Sequence, residues 1–487
     1  MRISIVVVMG VALHLVIGAW AQPTAVRTLP NEVYIPGFQI KVTIDVTGGP
    51  NAVTVVEHPP SGWTVDRVTG GGQWSDDVIT WNLEPFTGVK ALRYYITPAS
   101  STDGEGIFSG TVDGQEIGGM TRMIQYEMPE SIRLPELTGP HAVGTVIRHL
   151  VDESRDEIHS PNNPDDKREL MVQFWYPADV PEGAERAPYL PSPEAEIVVE
   201  LLKSSAFWGD LSSSYWDGFL VLSTNSGREA PLADRGSEYP VLIYSPGTSA
   251  PRWSNTSLME QLASHGYVVA AIDHTYESPM VVFPDGRVVP GATYSDPTRI
   301  ADIRFMLDEL SGSNKESPLH DLFADRLDLA RVGVLGMSRG GQVAQEVLLR
   351  DARFKAGLNL DGAILFSTEQ PIMHLKKVSG SFPEAMEMVG YHCEIRETLH
   401  YDFADFPLVW HLLDLPGRFP TNSATDDAVR VNRVIADYSV AFFDKILKGR
   451  SVPLLDASLL DYPEVEFTIY GEPEGLSRIK AEEWTMY

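Results

Sequence analysis

At 487 residues with 43% hydrophobic side chains, the chain is long enough for two domains with well-filled cores, which excludes an intrinsically disordered protein. Acidic residues outnumber basic ones by 67 to 38, giving a formal charge of −29. Such a surface repels phosphate backbones and anionic headgroups, so nucleic acid is excluded as an expected partner, and the excess charge serves solubility.

The first 21 residues carry one basic side chain, Arg2, an apolar stretch from Ile5 through Trp20, and the small-x-small sequence Ala19-Trp20-Ala21 before Gln22. This is the pattern of a secretory signal peptide, residues 1–21, with an uncleaved membrane anchor as the alternative reading. Its removal takes away no acid and one base, so the formal charge would move from −29 to −30. No stable membrane span is expected once it is gone, and the mature protein is expected to be secreted or periplasmic. Cys393 is the single cysteine, which excludes an internal disulfide even in an oxidising compartment.

From Gln39 to Val46 the chain alternates, with Ile40, Val42, Ile44 and Val46 against Lys41, Thr43 and Asp45, the signature of a half-buried strand. Similar runs at Val53–Val56, Val78–Leu83, Ala91–Ile96 and Ile107–Val112 are separated by Gly, Pro, Asp and Asn clusters. The spacing predicts an all-β, immunoglobulin-like sandwich over residues 22–128. It carries no paired carboxylates, histidine cluster or cysteine framework, so it reads as a spacer or binding module whose partner is unknown. Trp63, Trp74 and Trp81 fit core or edge packing, with a carbohydrate-binding surface as the alternative. A polar, Pro-bearing linker is predicted over 129–139.

Over residues 140–487 the texture changes to strands alternating with helices, which argues for an α/β domain with a mostly parallel sheet. Strands are predicted at Met171–Trp175, Val241–Tyr244, Tyr267–Ile272, Val332–Leu335, Ala356–Leu360, Pro371–Leu375 and Tyr391–Ile395. Helices are predicted at Ser257–His265, Thr298–Leu310 and Gln342–Leu349, their apolar stripes serving as core. Residues 191–222, rich in aromatics and small polar residues, interrupt the alternation and are candidates to cap a site.

Residues 331–341 run a buried-type strand into Gly336-Met337-Ser338-Arg339-Gly340, the Gly-x-Ser-x-Gly turn that exposes a serine at a strand's carboxyl end. The pattern alone is weak, and its bland reading is a glycine-bearing turn; the flanking strand and helix supply the specificity. A serine hydroxyl needs a histidine to accept its proton and a carboxylate to fix that histidine's tautomer. Asp361 directly follows the apolar run 356–360 and is the candidate acid. His400 lies beyond the strand Tyr391–Ile395 and is the candidate base. His374, His392 and His411 compete with His400 but read as core or surface histidines, and Asp402 and Asp405 sit too close in sequence to His400 to serve as the acid. The oxyanion hole is expected from the backbone N–H of Arg339 and that of Thr248, in the loop Ser245-Pro246-Gly247-Thr248, which otherwise reads as a Pro-Gly turn. Cys393 lacks the glycine turn of a nucleophile and reads as buried packing. No cofactor and no metal is called for.

Several stretches resemble the plasma-type platelet-activating factor acetylhydrolases, with the likeness spanning roughly residues 140–450. They are Ala330–Phe366, His400-Tyr-Asp-Phe-Ala-Asp-Phe406, Leu258-Met-Glu-Gln-Leu-Ala-Ser-His-Gly266, Ala271-Ile-Asp-His274 and Glu169-Leu-Met-Val-Gln-Phe-Trp-Tyr-Pro177. The resemblance implies an α/β-hydrolase fold, no metal, a triad of Ser338, Asp361 and His400, and release of short or oxidised acyl chains from phospholipids. Two departures stand out. The family usually has His before the serine and an aromatic after it, where this chain has Met337 and Arg339. Its His-Gly-Leu-Gly-like oxyanion loop is Pro246-Gly247-Thr248-Ser249 here. Arg339 either binds an acidic group or pairs with a surface carboxylate. The expected function is a secreted serine esterase acting on a small ester or phospholipid. The alternatives are a dienelactone-hydrolase-like, polyester or aryl esterase, and a surface binding protein with a silent hydrolase domain.

Overall fold

The computed structural model describes residues 22–30, 32–37, 39–99, 104–160, 166–190, 194–204, 213–234, 236, 238–292, 294–312, 317–323, 325–378, 389–415, 419, 423–424, 427–455 and 462–470. The segment 1–21, read above as a signal, lies outside the described residues, as do 191–193 and 205–212 of the expected cap. The chain divides into two compact units, one ending at Glu127 and the other beginning at Met128. Among the described residues no helix is long and apolar enough to cross a membrane.

The first unit is all β. One five-stranded sheet is built on Thr24–Thr28, Ile40–Thr47, Val89–Thr97 and Thr64–Val68, and a second on Ser109–Val112, Val53–His58, Val78–Leu83 and Gln73–Ser75. Their inward side chains, Val42, Ile44, Leu92 and Ile96 from one and Val53, Val55, Ile79 and Trp81 from the other, share one core, as period-2 patterning requires. The expected single strand Ile107–Val112 is two strands, Glu105–Ile107 and Ser109–Val112, in different sheets. They part at Phe108, which is buried and bonds through its N–H to Thr121 O. Trp63 and Trp81 are buried in the core and Trp74 is exposed. At the centre Glu57 accepts two hydrogen bonds from Arg27, at 2.7 and 2.6 Å, and a third from Tyr94 at 2.9 Å. This pairs the charges of two fully buried side chains.

Among the described residues the second unit is built on a mixed sheet of twelve strands. In chain order these are β1 (Ile132–Arg133), β2 (Val143–Asp156), β3 (Lys167–Pro177), β4 (Arg186–Pro188), β5 (Leu222–Arg228), β6 (Tyr239–Ser245), β7 (Val268–Asp273), β8 (Leu327–Met337), β9 (Phe354–Leu360), β10 (Ile372–Lys377), β11 (Gly390–Ile395) and β12 (Val465–Tyr470). The spatial order is β1-β5-β2-β3-β7-β6-β8-β9-β10-β11-β12, with β4 pairing β5. Strands β7, β6, β8, β9, β10 and β11 are mutually parallel, with β3 and β12 antiparallel beside β7 and β11. The buried stretches of the central strands are mostly apolar because both faces are covered. Leu242 and Tyr244 of β6 pack with helices α1 (Thr256–Ser264) and α4 (Ala428–Lys448). Val241 and Ile243 pack on the other side with α2 (Asp296–Leu310) and α3 (Arg339–Arg350).

Residues 129–139, expected as a linker, are partly built into this unit. Strand β1 pairs with β5, and Thr138 and Gly139 donate to the side chains of Gln261 and Ser264 on α1. Helix α2 begins two residues ahead of expectation, because Ser295 caps it by accepting from Thr298 N–H and Pro297 sits in its first turn.

Candidate active site

Order β7-β6-β8 reverses the strand sequence at β6, so the loops after β6, β8 and β9 meet above the carboxyl edge of the sheet. Crevices form at such a switch point. Strand β8 hands over to α3 through Ser338, whose backbone at φ 55° and ψ −119° is one that a side-chain-bearing residue rarely adopts. Ser338 N–H is tied to Leu360 O at 2.7 Å. The turn is this sharp only because of its glycines. A Cβ on Gly340 would sit 1.9 Å from Ser245 O, and one on Gly336 2.2 Å from the Gly340 carbonyl carbon.

Asp361 is the first residue after β9 and is also left-handed, at φ 48°. Its Oδ1 accepts from Lys377 N–H at 3.3 Å, and its Oδ2 lies 2.6 Å from His400 Nδ1. His400 Nε2 lies 3.0 Å from Ser338 Oγ. The three residues selected from spacing thus form one hydrogen-bonded line. An ionised Asp361 makes Nδ1 the protonated nitrogen and leaves Nε2 free to accept from the serine. His400 opens a short 3-10 turn, His400–Phe403. That turn is fastened by Asp402, whose Oδ2 accepts from Leu399 N–H at 2.7 Å and Ala424 N–H at 2.9 Å.

The competing residues are used elsewhere. Asp405 Oδ2 accepts from Tyr189 O–H at 2.8 Å and from Ser257 N–H, in the first turn of α1, at 3.0 Å. Burial pushes its carboxyl up to about 7, against the lowering effect of those two donors. His374 is fully buried behind the Asp361 loop, with Nδ1 3.1 Å from Asn359 Nδ2, and burial pushes its imidazole down to about 3. His392 is buried on β11 and shifted down for the same reason, and His411 is exposed. Burial pushes the Cys393 thiol up, which leaves it a poor nucleophile.

Ser338 and His400 open onto a cavity of about 280 Å³, whose walls include Thr248, Tyr294, Met337, Tyr401 and Phe406. Thr248 is exposed on its rim. Arg339 begins α3, where the first N–H groups have no partner within the helix. Its side chain turns outward, with Nε donating to Asp296 Oδ1 at 2.6 Å and the guanidinium 5.6 Å from the Tyr294 ring. Of the two roles left open for Arg339, the structure contains the carboxylate pair. Of the expected cap, helix Ser213–Val221 packs over the helix that follows His400, with Tyr215 O–H donating to Phe406 O at 3.0 Å. A separate cavity of about 350 Å³ lies on the β2–β3 face and shares no wall residue with this one. Among the described residues no group of three or more His, Cys, Asp or Glu side chains is arranged to hold a metal ion. Tyr294 went unnoticed in the sequence, because no periodic element contains it and only the folding of a loop brings it to the cavity.

Residues 126–285 match the family described as platelet-activating factor acetylhydrolase, isoform II. A probable 1-alkyl-2-acetylglycerophosphocholine esterase of Arthroderma benhamiae is 28% identical over 397 residues, covering 71% of this chain and 96% of that protein. A platelet-activating factor acetylhydrolase of Canis lupus familiaris is 22% identical over 314 residues, 53% of this chain and 70% of that protein. Among solved structures, a ferulic acid esterase from Streptomyces cinnamoneus superposes with a TM-score of 0.58 and 30% identity, covering 70% of this chain and 99% of that one.

Proposed function

The chain belongs to the platelet-activating factor acetylhydrolase, isoform II, family and is a hydrolase acting on ester bonds; we propose that it is a secreted α/β-hydrolase of the serine type that releases short acyl groups from glycerophosphocholine esters. The observation that carries this reading is the unbroken line from Asp361 Oδ2 to His400 Nδ1 (2.6 Å) and from His400 Nε2 to Ser338 Oγ (3.0 Å), opening on the 280 Å³ cavity.

The chemistry follows from that line. Ser338 Oγ attacks the ester carbonyl carbon as its proton passes to His400 Nε2, and Asp361 steadies the imidazolium that forms. The N–H groups of Arg339 and Thr248 receive the negative charge that develops on the carbonyl oxygen. Collapse of this intermediate breaks the ester C–O bond, the leaving alcohol takes the proton from His400, and the acyl group stays on Ser338. Water then repeats the attack with His400 as base, releasing the carboxylic acid and restoring the serine. The cavity, at about 280 Å³, falls just below the roughly 300–1,000 Å³ usual for ligand pockets, which suits a small acyl group.

A second reading, an aryl-type esterase, is favoured by the 30% identity to a ferulic acid esterase and by the aromatic walls Tyr294, Tyr401 and Phe406. Rates on 2-acetyl ether glycerophosphocholine, its longer-acyl homologues, p-nitrophenyl acetate and methyl ferulate decide between the two, and a clear preference for the ferulate would replace the phospholipid assignment. Failure to hydrolyse any of them, or full activity in Ser338→Ala, would remove the serine-esterase reading. In this account residues 1–21 are a cleaved signal, 22–128 form an immunoglobulin-like accessory sandwich and 140–487 form the catalytic domain. Sequencing the amino terminus of the mature protein tests the first of these, with Gln22 expected as its first residue.

A further inference from the structure

We propose that Arg299 is a positioning residue for ester hydrolysis: from beneath the loop after β6 it grips the Pro246 and Gly247 carbonyls and thereby turns the N–H groups of Gly247 and Thr248 towards the oxyanion formed at Ser338. The proposal rests on the serine-esterase reading above: it adds Gly247 N–H to the Arg339 and Thr248 donors named there and identifies the residue that aims the two donors of the loop.

Arg299 lies on α2 and is fully buried. Its Nη1 donates to Pro246 O at 2.6 Å and reaches Ser245 Oγ at 3.4 Å, and its Nη2 reaches Gly247 O at 3.4 Å. Nε donates to Glu277 Oε2 at 2.7 Å, which orients the planar fork. In a trans peptide unit the C=O and N–H point to opposite sides. A carbonyl held from below therefore sends the N–H of the same unit upward. Two successive units held in this way form a concave pair of N–H groups, an arrangement that binds anions. Their upper face is the nucleophile's: a Cβ on Gly247 would lie 3.3 Å from Ser338 Cβ and 3.1 Å from Met337 Sδ.

The clamp is braced on both sides. At the start of the loop Ser245 Oγ lies 2.9 Å from His274 Nε2, and His274 Nδ1 lies 2.9 Å from Asp302 Oδ2, one turn along α2 from Arg299. Asp302 is bound twice by Arg168, at 3.1 and 2.6 Å. Burial opposes its ionisation, but Arg168 and the His274 N–H outweigh that and hold the carboxyl well below the usual range. Burial also pushes His274 down, so the imidazole is neutral, donating from Nδ1 to Asp302 and accepting at Nε2 from Ser245. Ser245, His274 and Asp302 have the order of a hydrolytic triad, yet all three are sealed from solvent and reach no substrate. Their part is to fix the end of β6. At the far end of the loop Arg252 N–H donates to Asp273 Oδ1 at 2.7 Å. Asp273 ends β7 and His274, Glu277 and Ser278 follow it, all buried, so one polar layer holds the whole turn.

The test uses the full-length protein and two variants. Arg299→Met combined with Glu277→Gln removes the clamp without stranding a buried charge, and Arg299→Lys keeps the charge but not the fork. With p-nitrophenyl acetate we expect kcat to fall about 100-fold in the double variant, the cost of misplacing an oxyanion donor, with KM within about threefold of wild type. Binding of a trifluoromethyl ketone, which forms the oxyanion on Ser338, should weaken by the same factor. Arg299→Lys should lose about tenfold in kcat by the same route, and it alone decides if the double variant does not fold. A folded variant with unchanged kcat, or with loss in KM alone, overturns the proposal. Loss of the serine-esterase reading looks different: wild type would then be inactive, or Ser338→Ala as active as wild type.

Discussion

Replacing Asp361 by Asn should remove nearly all activity while leaving the fold intact. Asp361 Oδ1 accepts from Lys377 N–H and Oδ2 faces His400 Nδ1. An asparagine must keep its carbonyl oxygen on the Lys377 N–H, since an NH₂ cannot accept, so the NH₂ turns to His400. Nδ1 then becomes the acceptor and the imidazole proton moves to Nε2, 3.0 Å from Ser338 Oγ. Nε2–H then donates to Ser338 Oγ instead of accepting from it, and the serine proton has no base to go to. Tautomer reversal of this kind costs about 10⁴ in kcat, or about 5.5 kcal/mol in activation free energy. Asparagine is the right probe because it tolerates the left-handed backbone at position 361, where alanine would add strain. Initial rates on p-nitrophenyl acetate, with the melting temperature as control, make the measurement. A variant within tenfold of wild-type kcat at an unchanged melting temperature would refute the role assigned to this carboxylate.

Ser338→Gly should be inactive yet more stable, because release of the φ 55°, ψ −119° strain, about 1–3 kcal/mol, outweighs the roughly 0.5–1 kcal/mol entropic cost of a glycine; a lower urea midpoint than wild type would contradict this. Gly340→Ala should cost about 3 kcal/mol or more, since its Cβ meets the backbone oxygen of Ser245 at 1.9 Å, and a soluble variant with an unchanged urea midpoint would show that the turn can relax. Burial raises the Asp405 carboxyl from 3.8 to about 7, so the folded protein holds this proton more tightly than the unfolded chain. Stability should therefore fall as pH rises between about 4 and 7, by at most about 4 kcal/mol, and Asp405→Asn should flatten that slope. Urea midpoints at pH 5 and 8 check it, and equal slopes in the two proteins would count against it.

What could be read from the chain was what local chemistry controls. The glycine spacing around Ser338 encodes a turn within five residues, and Asp361 announces itself by closing the apolar run of β9. Six parallel strands were visible because strands buried on both faces are written as continuous apolar runs. Strand β2 was not, since its 14 residues are buried at one end and exposed at the other, which breaks any single period. Helix α4 had legible ends in Asp427, which caps it, and Gly449, at φ 64° beyond it, but its 21 residues went unassigned behind the loop carrying His400. The segment 129–139 has a linker's composition, and its pairing with β5 depends on residues ninety positions away. The same holds for Arg299, whose grip on Pro246 spans 53 positions: the loop it reaches was legible, but nothing in the sequence of α2 marks its partner.

The carboxyl edge of the parallel sheet also gathers strain. Ser249 after β6, Tyr276 after β7, Ser338 after β8, Asp361 after β9 and Glu397 after β11 all have φ between 48° and 66°, and none is glycine. At roughly 1 kcal/mol each, the five together would cost about 5 kcal/mol, comparable to the whole net stability of a small domain. Ser338 and Asp361 directly follow β8 and β9, where a left-handed residue turns the chain out of the sheet in one step, while Ser249, Tyr276 and Glu397 lie a few residues beyond their strands, in the loops. Glycine would do so without strain but would bring no hydroxyl and no carboxylate. At Ser338 and Asp361 the strained backbone carries a hydroxyl and a carboxylate that glycine could not supply, so under the proposed mechanism the strain and the chemistry are one requirement.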